Sequence, residues 1–213
     1  MPKPNATPAE RWALPVRQAR SQATRERLLA AAEKVFADKG YDGAKLSDIA
    51  EEAGVSVGAV YFRFKDKDAL FLGVAETFVQ EARARLGEFV LSGAERALDD
   101  VVRTFVLRTA ANFQTHRGLF RAIIERGFEN RPVMNIMFGL RDDIARALHA
   151  ALSQRSSGRN DLGDAIRVAT QMIYGFLLIG VLNPQAPARQ NRRQGVNGLA
   201  DAVIAYLSSV VTR

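Results

Sequence analysis

The segment of residues 46 to 65, LSDIAEEAGVSVGAVYFRFK, constrains the fold more than any other part of the chain. Ser47 is placed to cap one short helix, Gly54 supplies a tight turn, and Ser56 is placed to cap a second short helix over residues 57 to 64. The inward face of the first helix carries Ile49, Ala50 and Ala53. Two short helices that cross at small residues beside a glycine turn are typical of a helix-turn-helix. In that motif the second helix enters the major groove of DNA, with its N-terminal part facing the bases.

The residues that this arrangement would expose also suit a nucleic-acid partner. Small residues begin the second helix and would let it lie deep in a groove: Val57, Gly58 and Ala59. Donors for phosphate oxygens cluster at its end and just beyond it: Tyr61, Arg63, Lys65 and Lys67. The alternative interpretation is a plain helical core motif, because Gly-Val-Ser turns also occur in proteins that bind no nucleic acid.

Several stretches around this segment share one family pattern. They are AEKVFADKGY (32–41) and LSDIAEEAGVS (46–56), followed by Gly58, Val60-Tyr61, Phe64, Lys67 and Leu70. Together they make residues 24 to 71 resemble the N-terminal domain of the TetR family of transcriptional regulators. One position departs from the pattern, since Arg63 stands where the family usually has histidine. Arginine still donates to phosphate, and it can also bind guanine through two hydrogen bonds.

The resemblance implies particular DNA contacts. Ser47, Tyr61 and Lys67 are implied to bind phosphates, while Val57, Ala59 and Arg63 are candidates for base contacts. The complete predicted DNA-binding set is Lys45, Ser47, Ser56, Val57, Ala59, Tyr61, Arg63 and Lys67.

Prolines at positions 2, 4, 8 and 15 set the first twenty residues apart. Prolines this close together predict a break in any continuous helix, so we expect residues 1 to 20 to form a disordered arm. Its basic side chains are Lys3, Arg11, Arg17 and Arg20, against one acid, Glu10. The arm is either a solvated tail or a basic segment that lies along DNA phosphates or in a minor groove. The first helix is predicted to begin at a Thr24 cap and to end at Gly40.

Composition narrows the classes of partner and site. The net charge of +7 and the pI of about 10.1 favour a polyanionic partner. The absence of cysteine excludes disulfides, thiolate metal sites and cysteine nucleophiles, and it indicates a reducing cytoplasm. The longest apolar run, residues 172 to 182, is too short for a membrane span of about 20 residues. We therefore predict no membrane association, no cofactor and no metal.

The remaining residues, 68 to 213, show no strand pattern. The whole chain is predicted to be all-α, with about nine or ten helices by hydrophobic periodicity, and with loops over residues 153 to 163 and 183 to 195. Residues 21 to 67 would be the helix-turn-helix domain, and residues 68 to 213 a helical ligand-binding and dimerisation domain. A helix that is apolar almost all round, over residues 164 to 182, must be covered on every side. The resemblance implies that this helix and the last one, residues 197 to 211, form a four-helix bundle with a partner subunit. The alternative is a core helix in a monomer.

Aromatic and methionine side chains in this half suit an adaptable apolar pocket. The predicted ligand-binding residues are Phe105, Phe113, Phe120, Met137, Met172 and Phe176. TetR relatives bind a small inducer in this region, and the composition favours an apolar or aromatic one. The alternative is that these residues serve only the core and the dimer, with no small-molecule effector.

Other function classes have weaker support. Asp142 and His149 are seven residues apart and could share a helix face in an enzyme, but two such residues do not make a convincing site. A sequence-independent architectural DNA binder explains the charge, but it leaves the large apolar C-terminal half unexplained. We therefore predict a regulator without enzymatic activity, which binds a palindromic operator as a dimer and is released by a ligand that tilts the helix of residues 70 to 91.

Overall fold

The computed structural model describes residues 8–93, 96–153, 162–183 and 192–211, and these ranges contain helices and no strand. The predicted all-α class is therefore confirmed. The α-helices in these ranges are α1 (Pro8–Gly43), α2 (Leu46–Glu52), α3 (Val57–Tyr61), α4 (Lys67–Gly93), α5 (Leu98–Thr115), α6 (Arg117–Arg126), α7 (Arg131–Leu152), α8 (Leu162–Leu182) and α9 (Arg192–Val211). A 3-10 turn, Gly127–Glu129, links α6 to α7.

Helix α1 begins well before the predicted start. It runs from Pro8, so the expectation that prolines prevent a helix in the first twenty residues is wrong for residues 8 to 20. Proline is well tolerated in the first turn of a helix, and one further inside, such as Pro15, removes one hydrogen bond while its neighbours keep theirs. The hydroxyl of Thr24 donates to the carbonyl of Arg20 at 2.9 Å and caps nothing. The part of the predicted arm before Pro8 lies outside the described residues.

Gly40 interrupts α1, as the sequence predicts. Its φ of 74° and ψ of 171° leave the helical region inside the span assigned to α1. Glycine adopts a positive φ without the steric cost that a Cβ would bring. The chain therefore changes direction at this residue and leads through Tyr41 into the helix-turn-helix.

One continuous apolar core runs through the described residues. Its largest fully buried side chains include Phe36, Leu28, Ile49, Leu70 and Phe71, which join α1, α2 and α4. In the C-terminal half, α6 packs along α1, α7 packs along α4, and α9 packs against α5 and α8. The helix-turn-helix is thus held by α1 and α4, and both of these helices are held in turn by the C-terminal half.

Two boundaries in the C-terminal half differ from prediction. Helix α8 begins at Leu162 and helix α9 at Arg192, so the ends of the predicted loops over residues 153 to 163 and 183 to 195 are helical. Most of both predicted loops, residues 154 to 161 and 184 to 191, lies outside the described residues. Within the described chain, Leu162–Val181 of α8 is long and apolar enough to cross a membrane by composition alone. This segment is longer than the apolar run of residues 172 to 182 found in the sequence. The inner face of α8 packs into the protein core.

Candidate nucleic-acid interface

The first short helix of the motif starts two residues earlier than predicted. Lys45 is its N-cap residue, in an extended conformation, and the backbone N–H of Lys45 donates to the Asp48 carboxylate at 3.2 Å. Ser47 lies inside the first turn, so the prediction that it caps α2 is wrong. The Asp48 carboxylate also pairs with Lys39 at 2.9 Å, and these contacts lower the pKa of Asp48. The side chains of Lys45 and Ser47 are exposed at the start of α2, where they can reach a backbone phosphate.

The turn and the start of the second helix follow the prediction, but the helix ends at Tyr61 and not at Phe64. Gly54 has a φ of 64°, and the N–H of Val55 donates to the carbonyl of Ala50 at 2.9 Å, which closes the turn. The Ser56 hydroxyl accepts from the N–H of Ala59 at 3.2 Å, so Ser56 caps α3 as expected. Val60 is fully buried and anchors α3 to the core.

Four exposed residues form the outward surface of α3 and its C-cap residue, which we call the reading face: Val57, Gly58, Tyr61 and Phe62. They stand at positions i, i+1, i+4 and i+5, which share one side of a helix. Phe62 is 82% exposed. Sequence analysis missed Phe62, although the inward positions of Val60 and Phe64 would have placed it outward.

Ala59 and Arg63 lie at the edge of the reading face and are partly buried. Arg63 donates from Nη1 to the carbonyl of Ala59 at 3.1 Å. Its guanidinium lies 5.6 Å from the centre of the Phe62 ring. Its Nε is buried and has no hydrogen-bond partner. Part of this guanidinium is therefore committed to the C-terminal end of α3.

Lys67 connects the end of α1 to the start of α4. Its ammonium donates to the carbonyls of Tyr41 at 2.7 Å and Ala44 at 3.0 Å, and it lies 4.4 Å from the centre of the Tyr41 ring. An ammonium has three donors, and these contacts use two of them. Phosphate binding by Lys67 stays a prediction, with one proton left for it.

A polar network fixes the chain between α1 and α2 to the C-terminal half. The Tyr41 hydroxyl donates to Asp68 at 2.5 Å, and Asn130 donates to the same carboxylate at 3.2 Å. Burial, followed by the hydrogen bond to Asp68, raises the pKa of Tyr41 above its usual value. The Tyr41 N–H donates to Glu125 at 2.5 Å. Arg121 donates to the last carbonyls of the regular part of α1, with a distance of 2.8 Å to that of Ala37.

The predicted ligand-binding residues do not all face one space. Phe105, Phe113 and Phe120 are buried, and the Phe113 and Phe120 rings stack with centres 3.7 Å apart. Met137 and Phe176 are half-buried against the core, whereas Met172 is exposed on α8. The role of these residues in ligand binding stays a prediction.

A cleft of about 550 Å³ opens elsewhere, between the start of α4 and the start of α7. It is lined by Asp68, Ala69, Leu72, Arg126, Glu129, Asn130, Arg131 and Pro132. None of the six predicted ligand-binding residues lines it.

The residues considered for an enzyme are not arranged as a catalytic or metal site. Asp142 and His149 are both exposed on α7. The other histidine, His116, packs against Phe78 and contacts Glu33 at 3.1 Å, which ties α1 to the junction of α5 and α6. Within the described ranges, no group of three acidic or histidine side chains could hold a metal ion.

Comparison with known proteins decides the family. Residues 28–74 match the family model described as bacterial regulatory proteins, tetR family. The chain is 31% identical over 181 residues to the transcriptional repressor AcnR of Corynebacterium jeikeium, covering 83% of this chain and 86% of that protein. It is 30% identical over 175 residues to the repressor BepR of Brucella suis, covering 75% of this chain and 81% of that protein. The chain belongs to the TetR family.

The fold agrees with solved TetR-family structures. A TetR-family regulator from Mesorhizobium loti superposes with a TM-score of 0.68 over 90% of this chain and 98% of its own, at 22% identity. At that identity the likeness establishes the fold alone. The TetR-family relatives are transcriptional regulators with a helix-turn-helix, so this chain is a DNA-binding transcriptional regulator and not an enzyme.

Proposed function

We propose that this TetR-family regulator is a cytoplasmic repressor that binds a palindromic operator as a dimer and leaves it when a small effector binds. The proposed DNA binding rests on a single observation, the exposed and uncharged reading face on a helix that Ser56 caps. Relatives named as repressors, AcnR and BepR, support the direction of control.

The proposed DNA contacts follow from exposure and from the groups that stay available. Val57 and Gly58 stand at the start of α3, the part that faces the bases in this motif. Lys45, Ser47 and Tyr61 are exposed around it and suit phosphate oxygens. Ser56 is exposed and caps the start of α3, Ala59 is partly buried on α3, and Arg63 lies just beyond its C-terminal end.

Helix α8 supports the proposed dimer. Val168, Met172 and Ile179 are exposed apolar residues on this helix, and their spacing of four and seven places them on one stripe. Its opposite face, which includes Ile166, Ile173 and Leu177, is buried in the protein core. An apolar stripe of this kind is stabilised by a second copy of itself across a two-fold axis. We assign the stripe, together with α9, to the dimer contact.

The effector proposal depends on a run of aromatic rings that joins four helices. Phe78 of α4 packs edge-on against Phe120 of α6 at 5.4 Å. Phe120 stacks on Phe113 of α5, and Phe113 lies 5.8 Å from Tyr174 of α8. An apolar ligand inserted among these rings would displace α4 and α6 relative to each other. Because α4 packs on α1, which holds the helix-turn-helix, and α6 also packs on α1, that displacement would change the spacing of the two helix-turn-helix motifs in the dimer.

Two variants test the DNA contacts on the duplex bound most tightly from a random-sequence pool. We expect Tyr61→Ala to weaken binding to all duplexes alike and to lower the salt slope by about one. Arg63→Ala distinguishes two roles, since a changed base preference means base reading and a uniform loss means phosphate contact. Leu107→Ala, at an exposed site on α5, is the matched control. Wild-type affinity and salt slope in Tyr61→Ala would contradict the phosphate assignment.

The thermodynamic linkage between DNA binding and ligand binding tests whether a small effector releases the DNA. A ligand that releases DNA must itself be bound less tightly by the DNA complex, by the same factor, typically about 5–150-fold. Candidate apolar compounds are measured with and without saturating operator. Equal affinities in the two states would contradict ligand release and would favour the alternative, in which the aromatic rings serve only the core and the dimer.

A further inference from the structure

The reading face has a chemical character that limits which bases it can recognise. Residues 53 to 65 contain no carboxylate and no side-chain amide. Val57, Gly58 and Phe62 offer no side-chain hydrogen bond, so the hydroxyl of Tyr61 is the one polar side-chain group on the four-residue face. The pairings of amide with adenine and carboxylate with cytosine, which read bases through hydrogen bonds, have no counterpart on this surface.

Hydrogen bonds within this segment use part of the capacity of the polar groups nearest the reading face. The Ser56 hydroxyl accepts from the N–H of Ala59. Arg63 donates back to the carbonyl of Ala59 and lies over the Phe62 ring. The charged groups at either end, Lys45 and Lys65, are exposed and suit the phosphates on the two sides of a groove. The middle of the surface is left apolar.

Sterics favour a close approach of this surface to the floor of the groove. A Cβ on Gly58 would meet nothing nearer than the Ser56 hydroxyl at 3.8 Å, so the fold of this chain does not need a glycine there. Phe62 extends from the same side, one helical turn later. Val57 and Phe62 are both exposed, at 40% and 82%, so both are accessible to a groove that surrounds α3.

The major groove offers one apolar group to such a surface, the 5-methyl group of thymine. Apolar side chains placed against the donors and acceptors of other bases would leave those groups without partners, which is costly. We propose that Val57 and Phe62 recognise the 5-methyl groups of thymines, so that each half-site is read by apolar contact. This inference rests on the proposed function, because it names what the proposed DNA interface recognises.

Replacement of thymine by deoxyuridine tests the proposal, since it removes only the methyl group. The duplex bound most tightly from a random-sequence pool is prepared with each thymine replaced in turn, and its affinity is measured at one salt concentration. We expect about a fourfold loss for each contacted methyl, from the burial of one methyl-sized group. Val57→Ala and Phe62→Ala should each abolish the loss at one thymine per half-site. Leu107→Ala should keep the wild-type pattern.

The outcomes separate this inference from the proposed function. An enriched duplex whose thymines all tolerate deoxyuridine would overturn the thymine reading and leave operator binding intact. A loss that persists in both Val57→Ala and Phe62→Ala would also overturn it. Failure to enrich any sequence would overturn the proposed function itself. If Phe62→Ala changes the oligomeric state and leaves DNA affinity unchanged, Phe62 contacts protein and the inference is wrong. Circular dichroism confirms that these surface variants fold.

Discussion

Helix α6 lies directly against the backbone of α1 at Gly118, and Gly118→Ala is the perturbation that tests this contact. A Cβ there would lie 1.8 Å from the carbonyl oxygen of Glu33, 2.7 Å from its carbonyl carbon and 3.0 Å from the N atom of Ala37. Carbon and oxygen atoms in close contact are normally about 3.3 Å apart. Because the obstacles are backbone atoms, no side-chain rotation relieves the clash, and the two helices must separate locally by roughly 1.5 Å.

The cost can be worked out from the contacts beside the glycine. The same separation would stretch the 2.8 Å bond from Arg121 to the carbonyl of Ala37 to about 4.3 Å, beyond hydrogen-bonding range. Loss of that charge-assisted bond costs about 1.5–3 kcal/mol, and overpacking costs about 1–3 kcal/mol more. The expected destabilisation is about 2.5–6 kcal/mol, which for a chain of this size lowers the unfolding midpoint by roughly 5–24 °C.

Thermal and urea unfolding, followed by circular dichroism, measure this cost. Gly87→Ala is the matched control, because it lies within α4 and a Cβ there meets nothing within 4 Å. That variant should gain about 0.5–1 kcal/mol from helix propensity. A Gly118→Ala protein as stable as the wild type would show that α6 does not press against the backbone of α1, and the described attachment of the helix-turn-helix to the C-terminal half would be refuted.

Three further changes test other contacts. The folded-state pKa of Tyr41 lies above its unfolded value, so the contribution of its hydroxyl to stability is complete below about pH 10 and is lost as the pH rises further. In urea titrations, Tyr41→Phe should therefore lose less stability between about pH 9 and 11 than the wild type. An equal loss in the two proteins would contradict a buried hydroxyl at Tyr41. Phe113→Ala should cost about 3–5 kcal/mol in urea unfolding, because its ring stacks on Phe120, and a negligible cost would indicate a loosely packed pocket. Ile179→Lys should shift sedimentation towards the monomer, whereas an unchanged dimer would place the contact away from the apolar stripe of α8.

Local chemistry made much of the helix-turn-helix predictable from sequence. Gly54 takes a positive φ and Ser56 caps α3, because turns and caps depend on residues within three or four positions of one another. Gly40 leaves the helical conformation for the same kind of reason. Serine is a better capping residue than lysine, so the sequence predicts Ser47 as the N-cap of α2. In the structure Lys45 is the N-cap residue, and its backbone N–H donates to the Asp48 carboxylate within the first turn.

The remaining features depend on residues far apart in the chain. Lys67 looks like a free cation in the sequence, yet it binds the carbonyls of Tyr41 and Ala44, more than twenty positions earlier. In the sequence Gly118 is an ordinary residue at the start of a helix. The need for glycine at this position is explained by the backbone of α1, which leaves no room for a Cβ. The four prolines predict a start of α1 that is too late, because each proline removes a hydrogen bond only locally and does not prevent the surrounding helix. Periodicity identifies which helices are apolar, but it does not identify which helix packs against which.

The stoichiometry and symmetry of the DNA complex test the central claim most directly. Duplexes selected from a random pool are sequenced, and the mass of the complex with the tightest one is measured by analytical ultracentrifugation. The account predicts an inverted repeat bound by two chains, with recognition helices about 34–36 Å or somewhat more apart. Binding that shows no sequence preference, or one chain on an asymmetric site, would contradict it.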